Sequence, residues 1–232
     1  MNGLLKHPAG LNSRLQRIIR SRMKPERLVG LDISMSEIKL AVMERSRNRI
    51  NLEICHSEVL KPDDPSKPGK ALDRMQSSLD AIVCKYNLEG VKTVSLIPFE
   101  NVDTRLVILP KMPGKELRRA LEFEAKKFSN IPAGRAYIDK IKVESFDQEG
   151  AKYVSYLAVV ADKLDLEQTV DLVRNSGLDL VGLTLPPVAL GNIIRRTKGE
   201  DEARIVAALD MSASEMSFTL FEEDKLPFTR DI

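Results

Sequence analysis

VGLDISMSEIKLAVME, Val29 to Glu44, and AALDMSASEMSFTLFE, Ala207 to Glu222, are near copies of one another. Laid together at an offset of 210 − 32 = 178, they share Leu31/Leu209, Asp32/Asp210, Ser34/Ser212, Ser36/Ser214, Glu37/Glu215 and Glu44/Glu222. Each reads as an apolar strand ending in an Asp, a turn of small residues, and a second strand of alternating polarity: a β-hairpin with a carboxylate at its mouth. One hairpin used twice, with other elements between, argues for a duplicated two-lobed domain, since solenoid units recur every few tens of residues. In such a fold the two turns can face each other across a cleft. Backbone N–H groups at tight turns form nests for phosphate oxygens, and a neighbouring Asp can hold the waters of Mg²⁺. The alternative is a pair of ordinary hairpins, because Leu-Asp-x-Ser is common at strand ends.

The composition is that of a soluble globular chain: 232 residues, 43% hydrophobic and 30% charged, with no apolar run near the ~20 residues of a membrane-spanning helix. The 36 basic and 34 acidic residues nearly cancel, so no basic field for nucleic acid is indicated. Cys55 and Cys84 lack the paired spacing of a disulfide framework or zinc site and read as reduced core residues of a cytoplasmic protein. His7 and His56 have no metal-ligand partner at helical or hairpin spacing.

Charge gathers at the start of the chain. Residues 1–27 carry Lys6, Arg14, Arg17, Arg20, Arg22, Lys24 and Arg27 against Glu26, and Leu11, Leu15, Ile18, Ile19 and Met23 recur at helical spacing. A helix with this apolar stripe and basic flank, over residues 11–24, suits an anionic membrane surface. A solvated leader, or a helix docked on the domain, is the open alternative.

Between the hairpins, Arg49 to Cys55 alternates as a third meander strand, Lys61 to Gly69 is a proline-rich exposed loop, Ala71 to Tyr86 is a core-facing helix, and Lys92 to Ile97 a buried strand. Residues 104–183 then read as an inserted α+β module. Its strand Thr104 to Leu109 precedes a helix from Lys115 to Phe128, and strands Tyr137 to Val143 and Tyr153 to Val160 follow. A helix capped by Asp162 and stopped by Gly177, with Leu166, Val170 and Val173 inward, leads to a last strand, Leu178 to Leu183. Residues 28–103 would form the first lobe, 184–203 its return helix, and 204–232 the start of a second lobe.

VGLDISMSEIKL resembles the first phosphate-binding hairpin of actin-like ATPases. The order of elements, together with LPKMPGKELRRALEFEAKKFSNIP (Leu109 to Pro132), LAVVADKLDLEQTVDLVRNSGLDLVGL (Leu157 to Leu183), Ala189-Leu190 and LDMSASEMSFTLFEEDKLPFTRDI, is similar to the PilM family of type IV pilus assembly proteins. The resemblance spans Leu28 to Ile232. It implies an actin-like α/β fold with ribonuclease H-like lobes and a small inserted subdomain. It also implies a cytoplasmic scaffold beneath the inner membrane that grips the cytoplasmic N-terminal tail of the membrane protein PilN, and ATP with Mg²⁺ as ligand. By position, Asp32, Ser34, Ser36 and Lys39 would belong to the first phosphate loop and Asp210, Ser212 and Ser214 to the second, with Mg²⁺ held through Asp32 or Asp210 when ATP binds.

Ser34 and Ser212 stand where relatives carry Gly, Thr184 and Pro186 where acidic residues are common, and the sequence reaches Ile232 before the family's Gly-Gly adenosine segment. The resulting expectation is an incomplete second lobe with at most vestigial nucleotide binding, whose strands leave Phe218, Leu220, Phe221 and Phe228 bare and prone to self-association. The competing functions are an actin-like ATPase or sugar-kinase-type phosphotransferase, and the related L-type protein of type II secretion. For a PilM-like scaffold the expected tail site lies between the core and the inserted module, beside Arg118, Arg119, Lys126 and Lys127, which would suit an acidic and apolar tail.

Overall fold

The computed structural model describes residues 26–46, 49–61, 71–97, 102–197, 205–211, 216–222 and 228–231. Along the chain run β1 (Glu26–Ile33), β2 (Glu37–Ser46), β3 (Arg49–Val59), α1 (Ala71–Tyr86), β4 (Lys92–Leu96), β5 (Val102–Pro110), α2 (Gly114–Ala125), β6 (Ala136–Gln148) and β7 (Ala151–Asp162). After them come α3 (Lys163–Asn175), β8 (Asp179–Thr184), α4 (Pro186–Thr197), β9 (Ile205–Met211), β10 (Met216–Glu222) and β11 (Phe228–Asp231). Apart from Glu26 and Arg27, which open β1, the basic N-terminal segment lies outside the described residues, as does the proline-rich loop beyond Lys61.

The first layer is a five-stranded sheet in the order β3-β2-β1-β4-β8, antiparallel through β3-β2-β1 and parallel through β1-β4-β8. Side chains alternate across a strand, so Val29, Leu31 and Ile33 share one face with Ile38, Leu40 and Val42 of β2. All six are buried against Met75, Leu79, Ile82 and Val83 of α1 and Leu172 and Val173 of α3. Burying each such aliphatic side chain contributes roughly 1.5–3 kcal/mol. Thr93 and Ser95, opposite Val29 and Leu31, are wholly buried on this face. Their hydroxyls stay satisfied by donating to the carbonyl oxygens of Val91 at 3.0 Å and Leu96 at 3.1 Å.

The inserted module is a second sheet, β5-β7-β6, with α2 on one face. Leu117 and Leu121 of α2 pack on Val107, Leu109 and Ala158. β6 and β7 are joined at Glu149 (φ 50°) and Gly150 (φ 80°), both left-handed, the geometry of a two-residue hairpin turn that matches the strands' twist. Asp162 caps α3 by accepting the N–H of Leu164 at 2.9 Å, and Gly177, at φ 84°, ends that helix.

The expected end of the module at residue 183 needs correction. Its sheet closes at Asp162; α3 packs in the core of the first layer, and β8 pairs with β4 from Lys92↔Asp179 to Leu96↔Thr184. The two cysteines also differ from expectation: both are exposed, Cys55 on the edge strand β3 and Cys84 on the outer face of α1.

The second hairpin starts a third sheet, β11-β10-β9. The repeat holds to the level of register: Asp32↔Lys39 and Ile33↔Ile38 in the first hairpin become Asp210↔Ser217 and Met211↔Met216 in the second, each shifted by the same 178 residues. Helix α4 joins the layers, with Gly191 set against the buried ring of Phe221.

Candidate functional site

The first hairpin turn is built around one hydroxyl. Ser34 Oγ accepts the N–H of Glu37 at 3.0 Å and lies 3.1 Å from the Glu37 carbonyl oxygen, while the Ser34 N–H donates to that same oxygen at 2.9 Å. Ser36 Oγ is 3.3 Å from Ser34 Oγ. Positive φ among described non-glycine residues belongs to Asn87 and Glu149, so Ser34 stands in the place of Gly without a left-handed backbone.

Asp32 and Lys39 face each other across the strands. Glu37 flanks Lys39 with Oε2 3.3 Å from Nζ, and Ser57 hydrogen-bonds Glu37 from β3. Ser57, aided by Lys39 and opposed by burial, holds the Glu37 carboxyl below its ordinary range. Partial burial pulls the Lys39 pKa down. The hydrogen bond and charge of Glu37, then the charges of Asp32 and Asp210, outweigh that and hold the ammonium above its ordinary 10.5. The charge of Asp210 thus reaches Lys39 from the second hairpin, as the smallest of these influences. Such groups have the chemistry that magnesium-bound phosphate uses, carboxylates for the metal's waters and an ammonium for a phosphate oxygen. Ser212 and Ser214 lie outside the described residues.

A second concavity lies between the inserted module and the first layer. It is a groove of about 880 Å³ whose apolar lining includes Ile97, Ile141, Val159, Leu166, Val170 and Leu183. Lys163 and Arg174 stand on its walls with Asp139, Glu167 and Asp171. Leu166 and Val170 read as core residues by periodicity; Leu166 packs half-buried on the cluster of Val102, Ala161 and Leu185, and both also line this opening. Their surplus to the Leu172–Val173 core contact is the signal that sequence reading passed over.

The basic residues expected beside this groove are elsewhere. Ala158 and Val160 of β7 point toward α2 while Val159 and Ala161 point into the groove, so α2 covers the opposite face of the module's sheet. Arg118 and Lys126 line a separate cleft of about 670 Å³ between α2 and β6. Arg119 and Lys127 line neither opening. Lys127 pairs with Glu124 at 2.6 Å and lies 4.6 Å from the Phe123 ring centroid.

A family model for the type IV pilus assembly protein PilM matches residues 30–232. The chain belongs to the PilM family. Among solved structures, it is similar to a chain of the PilM-PilN type IV pilus biogenesis complex, at a TM-score of 0.74 and 23% identity, over 88% of this chain and 61% of that one. The PilM-family chain thus spans less than two thirds of that relative. It is also similar to the cytoplasmic domain of EpsL, an inner-membrane component of the Vibrio cholerae type II secretion system, at a TM-score of 0.55 and 12% identity, over 89% of this chain and 71% of that one. At these identities both likenesses speak for the fold, which is actin-like. Among the described residues no helix is long and apolar enough to cross a membrane.

Proposed function

We propose that this PilM-family chain is an adaptor of type IV pilus assembly that holds the cytoplasmic N-terminal tail of PilN in the groove between the inserted module and the first layer. The observation that carries the reading is the groove itself: about 880 Å³, walled by secondary structure on both sides and apolar along its floor. An extended tail anchored by apolar side chains suits it, since buried apolar anchors supply most binding energy while rim charges orient the encounter. Family membership and the fold shared with the PilM chain of a PilM-PilN complex support the partner. The protein would then sit at the cytoplasmic side of the inner membrane as a scaffold, without catalytic turnover.

Nucleotide would be at most a weak ligand of this scaffold in the same reading. Asp32 and Asp210 would hold magnesium-bound water and Lys39 a phosphate oxygen of ATP, and the bound group would supply a charge clamp between the two hairpins.

The test is capture of a labelled PilN tail peptide by fluorescence anisotropy. Ile141→Glu and Val170→Glu, at half-buried groove positions, should each weaken binding by about tenfold or more with the circular dichroism spectrum unchanged. Wild-type affinity in both folded variants would exclude the groove.

A further inference from the structure

We propose that the cleft between α2 and β6, which meets the tail groove at the edge strand β6, is a docking site for an acidic segment of a second partner protein. The cleft measures about 670 Å³ and is lined by Arg118, Lys126, Lys140 and Lys163 against Glu122 and Asp139. These cations are not committed elsewhere. Arg118, Lys126 and Lys140 form no side-chain ion pair among the described residues, and the Lys163 ammonium makes one hydrogen bond there, to the carbonyl of Gly134 at 3.2 Å. One nearby basic group has a carboxylate partner, Arg135 with Asp162, so the surplus positive charge belongs to the cleft itself.

Shape selects the class of ligand. Half-buried Ile131 and Ile138 with exposed Ala133 give the cleft an apolar floor beneath its charged rim, over the buried Leu121 and Val160. A flat bilayer cannot reach that floor, and a free phosphate would satisfy the cations without covering it. A peptide carrying carboxylates beside aliphatic side chains does both, with the apolar contacts fixing affinity and the four cations steering the approach. The site adjoins the PilN groove around the edge strand β6, where Tyr137, Asp139 and Lys163 border both, while Arg118 and Lys126 line the cleft without lining the groove.

The experiment uses the whole chain and a short labelled peptide of alternating glutamate and leucine, with its glutamine counterpart and phosphatidylglycerol vesicles as further probes. We expect the glutamate peptide to bind, more weakly as salt rises, and Arg118→Glu with Lys126→Glu to weaken it by about tenfold or more. Arg119→Glu with Lys127→Glu makes the same charge change on the same helix outside the cleft, and should leave binding within about twofold of wild type. Capture of the PilN tail should be unaffected by either pair, which keeps failure here distinct from failure of the adaptor reading. Equal losses in both double variants, equal binding of the glutamine peptide, or vesicle capture without peptide binding would each overturn the proposal.

Discussion

The carboxylate of Asp210, on the second hairpin, acts on the ammonium of Lys39 on the first. Asp32 acts on it from within the hairpin, and Glu37 binds it directly. Burial alone would push the Lys39 pKa down; the three carboxylates together reverse the sign. Asp210→Asn and Asp32→Asn should therefore each lower that pKa, as read from the side-chain NMR shifts of Lys39 against pH. A group whose folded pKa is raised contributes stability below its unfolded value and loses it as pH rises through the folded one. The wild type should accordingly lose this contribution only on the alkaline side, above the ordinary value of 10.5. No response of Lys39 to Asp210→Asn would separate the two hairpins.

Nucleotide binding should be weaker than micromolar for residues 1–232, with no detectable hydrolysis. Lys39 already neutralises part of the carboxylate field a magnesium ion needs, and the Ser34 hydroxyl is engaged inside its own turn with Glu37. Isothermal titration giving micromolar ATP affinity that Asp32→Ala abolishes would contradict this.

Local devices were legible in the sequence, and long-range partners were not. The hairpin repeat, the Asp162 cap and the Gly177 stop each depend on a few adjacent residues, and they stand where those residues put them. β8 illustrates the limit. DLVGLT looks the same whether it closes a module or pairs in parallel with β4, because a short apolar strand shows no trace of which strand donates to it. The same ambiguity sent α3 to the module and Val170 to its core, whereas Leu166 does pack half-buried on Val102 and Ala161 of the module and on Leu185. Cys55 sits in an apolar alternation, yet an edge strand has an outward face, and Cys55 lies on it.

Gly191 is required by its neighbour. A Cβ built there would lie 2.7 Å from Phe221 Cε1 and 3.2 Å from Cδ1, and that ring is buried at 5% exposure. Alanine would gain up to about 1 kcal/mol in helix propensity. Overpacking costs about 1–3 kcal/mol, so Gly191→Ala should be destabilising on balance. Phe221→Leu shortens the obstacle, and the double variant should be more stable than the sum of the single effects predicts, as measured by urea unfolding. Strict additivity would mean that the two residues do not press on one another.

The Asp162 cap should be acid-sensitive. Its carboxyl is held below the ordinary 3.8 by the hydrogen bond from the Leu164 N–H, opposed by burial, then by Arg135 through a hydrogen bond and charge. A depressed carboxyl contributes stability above its unfolded pKa and loses it as pH falls through the folded one. Asp162→Ala should lower the neutral-pH Tm by about 2–4 °C and reduce the loss of Tm on acidification. Asp162→Asn, which keeps the cap and removes the ion pair, should fall between. Parallel pH profiles for wild type and Asp162→Ala would assign the acid sensitivity to other groups.

The last prediction comes from comparing equivalent faces of the two repeats. In the first sheet α1 covers Leu31 and Ile33, leaving 2% and 5% exposed. Their counterparts in β9, Leu209 and Met211, are 52% and 68% exposed, and Ile205 on the same face is 56% exposed. Phe218 and Leu220 of β10 pair with Leu209 and Ala207 and share this face, half-buried. Phe221 departs from the expected bare set because it points the other way, onto Gly191. The side chain of Phe228 lies outside the described residues. A contiguous apolar strip on a sheet face favours association over hydration. The 232-residue chain should sediment as a concentration-dependent mixture, and Leu209→Lys with Met211→Lys should shift it toward monomer while leaving the first-lobe core untouched. A wild type that remains monomeric across the concentration range would show that this face is covered within the chain.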